Sequence, residues 1–95
     1  MSEYARMVTF DATADGIDAL VNEINAAEGP PPGIESTRII VLANKAAGKC
    51  AVAVRFPSEE AMKAGGAVLG AMNPPEGLTR VSVDEWEVVL ERSAS

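Results

Sequence analysis

The chain has 95 residues, 47% hydrophobic and 23% charged, with fourteen acidic against eight basic side chains for a net charge of -6; it predicts one folded domain over 1–95 and no nucleic-acid or anionic-lipid partner. It contains no histidine and a single cysteine, Cys50, which excludes an internal disulfide, Cys/His zinc sites and imidazole-activated nucleophiles, and predicts neither metal nor cofactor. No apolar run approaches the roughly 20 residues of a membrane span and no signal-peptide pattern opens the chain, so the expected location is cytoplasmic.

Tyr4 to Asp11 alternates, with Tyr4, Val8 and Phe10 beside Arg6 on one face and Ala5, Met7 and Thr9 on the other, which predicts a first strand. Thr13 or Asp15 caps a first helix whose apolar stripe is Ile17, Leu20, Val21, Ile24 and Ala27. The run Gly29-Pro30-Pro31-Pro32-Gly33 ends it, because prolines remove amide donors and favour extended geometry. Ile34 to Ala43 is rich in β-branched residues and Cys50 to Phe56 alternates, so the two predict an antiparallel hairpin around Gly48.

Ser58 followed by Glu59 and Glu60 marks a second helix, with Met62, Gly65, Gly66, Leu69 and Met72 inward and Asn73-Pro74-Pro75 as its stop. The paired glycines cost helix stability, about 1 kcal/mol each relative to alanine, which close backbone packing would offset. Thr79 to Glu91 predicts a long last strand with a phase change between Val83 and Trp86, explained by a bulge near Asp84 or by a strand that moves from one packing partner to another.

The order βαββαβ is an α+β, ferredoxin-like arrangement: a four-stranded antiparallel sheet with both helices on one face. The other face is uncovered, yet it carries apolar side chains. Burying roughly 500 Å² of apolar surface contributes on the order of 12 kcal/mol before association costs, so a face-to-face homodimer is expected. A monomer with a mixed outer face is the alternative.

Three segments carry a family resemblance: Pro32-Gly33-Ile34 entering the second strand, Val54-Arg55-Phe56-Pro57-Ser58-Glu59-Glu60-Ala61 at a strand-to-helix junction, and Val83-Asp84-Glu85-Trp86-Glu87-Val88 in the last strand. In this order they resemble the antibiotic biosynthesis monooxygenase group of dimeric α/β-barrel proteins. The resemblance implies a homodimeric barrel with a pocket between sheet and helices in each protomer. It also implies cofactor-independent oxygenation of aromatic or quinol-like metabolites, in which the deprotonated ring reacts directly with oxygen. The family's haem-degrading branch is excluded by the lack of histidine, and its pocket tryptophan is matched here by Phe56.

Such chemistry needs an apolar pocket, a proton acceptor and a cation or donor for developing negative charge. Met7, Thr9, Val54, Phe56, Leu69 and Met72 are the candidate ligand-binding residues, with ordinary core packing as the alternative. Asp11, Arg55 and Trp86 are the catalytic candidates. Each predicted strand carries one arginine, Arg6, Arg38, Arg55 or Arg80, able to orient an anionic oxygen or simply to pair with a carboxylate. Tyr4 is a candidate phenolic donor or an edge-packing residue. A non-catalytic binding or structural dimer is the second reading, and an isomerase or cyclase using Asp11 as base is the third.

Overall fold

Alternation along the strands decides which side of this protein is buried. The computed structural model describes residues 2–93, ordered as β1 (Tyr4–Ala12), α1 (Ala14–Ala26), β2 (Arg38–Asn44), β3 (Lys49–Phe56), α2 (Glu59–Ala71) and β4 (Leu78–Glu87). The strands form one antiparallel sheet in the order β2-β3-β1-β4, the ferredoxin-like topology. Even-numbered residues of β1 and β3 face the helices: Val8, Phe10 and Cys50 pack with Ile17 of α1 and with Leu78, while Val54 and Phe56 pack with Met62 of α2 and with Ile34. Both helices therefore cover one face, over two separate core clusters. Among the described residues no helix is long and apolar enough to cross a membrane.

The helix starts follow the sequence. Thr13 caps α1, its hydroxyl accepting from the Gly16 amide at 3.0 Å, and Ser58 caps α2 by accepting from the Ala61 amide at 3.1 Å. The N-terminal end of α1 is also pinned by backbone contact. The Thr13 amide donates to the Gly77 carbonyl at 2.9 Å, and a Cβ at Gly16 would lie 2.8 Å from the carbonyl carbon and oxygen of Gly77. Gly77 itself has φ of 92°, a conformation that favours glycine. Beyond this anchor only Ile17 of the helix's large apolar side chains is fully buried.

Two strand ends and the register shift of β4 differ from the sequence expectation. β2 begins at Arg38, not Ile34. After Gly33, at φ of 89°, Ile34 turns inward as a plug of the α2-side core, 6% exposed, and only the Thr37 amide, bonded to the Arg55 carbonyl at 2.8 Å, extends the ladder. β4 ends at Glu87 instead of Glu91, because the Val88 amide makes the last bond to its neighbour, at the Glu3 carbonyl. The register shift lies not near Asp84 but opposite Thr9/Phe10, where Val81 is the extra residue between Arg80 and Ser82.

The face away from the helices carries, row by row across the strands, Arg38, Arg55, Ala5 and Trp86; Ile40, Ala53, Met7 and Asp84; and Leu42, Ala51, Thr9 and Ser82. Ile40, Leu42, Val81 and Trp86 are exposed there. It is a sheet surface of mixed polar and exposed apolar side chains, and among the described residues neither helix packs over its centre.

Candidate functional site

α1 is pinned at its N-terminal end, and further along it Leu20 and Ile24 border a cleft between the helices. The volume is about 840 Å³. The floor is Arg6, Val8, Val52, Val54 and Ile39 of the sheet; Leu20 and Ile24 of α1 with its C-cap Ala27 form one wall, and Leu69 of α2 with its C-cap Met72 the other. The proline connector and Asn73 to Pro75 edge the cleft, so both segments that stop the helices also shape it. Polar groups are few: Ser36, Asn73, the exposed carboxylates Glu23 and Glu28, and the guanidinium groups of Arg6 and Arg80.

Arg6 is the unusual member. It occupies an apolar position of β1, is 6% exposed, and lies under α2 between the two core clusters. Burial pushes its guanidinium below the ordinary arginine value, Arg80 pushes in the same direction, and Glu85 opposes both. Glu85, opposite it on β4, is held by Lys63 at 2.6 Å. Arg80 is exposed and reaches back to the Met72 carbonyl with a long bond of 3.4 Å, at the C-terminal end of α2.

Of the ligand-binding candidates, Val54, Leu69 and Met72 do line this cleft. Phe56 does not: it is completely buried against Met62, below the α2 backbone at Gly65. Met7 and Thr9 lie on the opposite sheet face, since they are out of phase with Arg6 and Val8; Thr9 bonds Ser82 across the strands at 2.5 Å. The six residues are therefore not brought together.

The catalytic candidates are also dispersed. Asp11 is exposed and borders a smaller groove of about 390 Å³ on the sheet's other face, with Leu42, Asn44 and Lys49. Arg55 makes two bonds to Glu91, at 2.6 and 2.9 Å, and pairs with Glu3 at 2.7 Å, tying the segment after β4 to the sheet. Hydrogen bonding to Arg55 and its charge hold the Glu91 carboxyl below the usual range. Trp86 is 56% exposed on the open face. Tyr4 packs at the end of the α2-side core, and burial, then Glu87 and Glu59, push its phenol up.

No family model, curated protein or solved structure matches this chain. Its site must be read from its own residues. Among the described ones, no group of three or more histidine, cysteine, aspartate or glutamate side chains is placed to hold a metal ion. Cys50 is buried in the α1-side core, where burial raises its thiol pKa and so keeps it protonated. What the arrangement offers is an apolar hollow with one buried cation on its floor.

Proposed function

We propose that this chain is a small-molecule binding protein of the cytoplasm, taking a flat, mostly apolar, aromatic or quinol-like metabolite into the cleft between its helices, and working as a homodimer joined through the open sheet faces. The cleft carries the reading: Leu20, Ile24, Val52, Val54, Ile39 and Leu69 surround a volume suited to one small ligand. Apolar walls that meet water when the cleft is empty gain from an apolar guest. The dimer reading rests on Ile40, Leu42, Val81 and Trp86, exposed together on a sheet face that the chain's own helices do not cover.

Cofactor-independent oxygenation is the second reading. It draws on the resemblance noted in the sequence and on the presence of guanidinium groups in a mostly apolar cleft. Both cleft carboxylates, Glu23 and Glu28, are exposed rather than desolvated, which favours binding over proton abstraction. Asp11, on the far side of the sheet, does not serve an isomerase or cyclase acting in this cleft.

Native mass spectrometry of gently purified protein tests the binding reading: a co-purifying small molecule, displaced by added naphthols, is expected, and failure of any aromatic to bind at millimolar concentration contradicts it. Oxygen uptake with hydroquinones, measured in parallel, decides between the two readings.

A further inference from the structure

Resting on the cleft reading above, we propose that Arg6 is the anion anchor of the cleft and that the natural ligand is a carboxylic acid on an apolar body. Arg6 is 6% exposed and lines the cleft, yet among the described residues its guanidinium forms no hydrogen bond and no ion pair. Its nitrogens are not among the fully buried side-chain atoms without a partner, so they keep contact with the cleft, and a charge held at an otherwise apolar position is costly to keep. Methionine or leucine would fill the same place without that cost. The acid opposite, Glu85, bonds Lys63 through Oε1 at 2.6 Å and acts on Arg6 through its charge without forming an ion pair with it, and Arg80 adds a second positive charge on the same side. Two guanidinium groups thus face the cleft in a chain whose net charge is -6. Glu23 and Glu28, the acids of the cleft lining, are exposed.

The backbone above Arg6 is cleared as well. A Cβ at Gly66 would stand 3.4 Å from Arg6 Cδ and Nε, and one at Gly70 3.9 Å from Nη2. Both positions of α2 carry glycine, so the helix covers the arginine without side chains that would crowd its fork. A planar fork of donors matches the two oxygens of a carboxylate, and the alkyl walls match the remainder of such a ligand.

Calorimetric titration of the full chain with benzoate, 2-naphthoate and decanoate, each beside its neutral amide, tests this. At least one acid is expected to bind the wild type roughly tenfold to a hundredfold more tightly than its amide. In Arg6→Met that preference vanishes while the amide still binds. Arg6→Lys, which keeps the charge without the fork, recovers part of it. A structural arginine would behave differently, so unfolding is measured too: Arg6→Met is expected to be at least as stable as wild type without ligand. Equal binding of acid and amide to the wild type, an acid preference that survives Arg6→Met, or an Arg6→Met chain that unfolds more readily overturns the anchor but leaves the cleft reading standing. Binding of neither acids nor amides overturns both.

Discussion

At the scale of single residues, the two adjacent glycines of α2 have different reasons. A Cβ at Gly65 would come 2.5 Å from Phe56 Cε1 and 3.0 Å from Cζ, and Phe56 is fully buried and has nowhere to go. At Gly66 the nearest atoms belong to the side chain of Arg6, which can shift. Gly65→Ala is therefore expected to destabilise by about 1–3 kcal/mol through overpacking, despite the better helix propensity of alanine. Gly66→Ala is expected to be neutral or slightly stabilising. Urea unfolding of both variants checks this, and equal stability of the two would refute the distinction. The sequence shows the glycine pair but not the asymmetry, since which glycine faces an aromatic ring depends on how α2 is rotated over β3. Arg6 was better signposted: a charged residue in phase with Tyr4, Val8 and Phe10 stands out on an apolar face. The periodicity of a single strand does not say whether that face meets core or cleft.

At the scale of elements, hydroxyl caps, proline stops and two-residue alternation are local signals, and the helices and strands they mark are present where those signals lie. Strand ends are set by partners instead. Ile34 has a β-branched side chain but is used as a core plug, and the apolar residues after Glu87 leave the sheet beyond the bond from the Val88 amide to the Glu3 carbonyl, where Arg55 binds Glu91. The displaced bulge at Val81 is a matter of register, which the strand's own sequence does not encode. The cleft beside α1 is also nonlocal: Gly16 and Gly77 hold the helix's first turn close, while Leu20 and Ile24 border the cleft. Local opening is expected to follow that asymmetry. Hydrogen exchange of the amides in residues 22–26 should be roughly tenfold faster than in 17–21, and should slow when the cleft is filled. Uniform protection along α1 would contradict a helix docked at one end.

At the scale of the whole molecule, one sheet has two unlike faces. The helix side holds two apolar clusters with a cleft and a buried cation between them; the other side exposes Ile40, Leu42, Val81 and Trp86 around the Arg55 ion pairs. If the open faces join two copies, Leu42→Glu, a 52% exposed position, places a charge in an apolar interface and should give monomers at micromolar concentration with little loss of monomer stability. Sedimentation reads this directly, and a wild-type monomer at the same concentration would end the dimer account. The proposed dimer and the cleft are separable, because they would use opposite faces of the same strands.

A ligand is expected in the cleft on the helix side of the sheet. Amide and methyl shifts on titration with 2-naphthoate test it most directly: changes are expected to concentrate on Arg6, Val8, Ile24, Val52, Val54 and Leu69, which border the cleft, and to spare Met7, Thr9 and Leu42 on the other face. Shifts confined to the open sheet face, or none at saturating ligand, would contradict it.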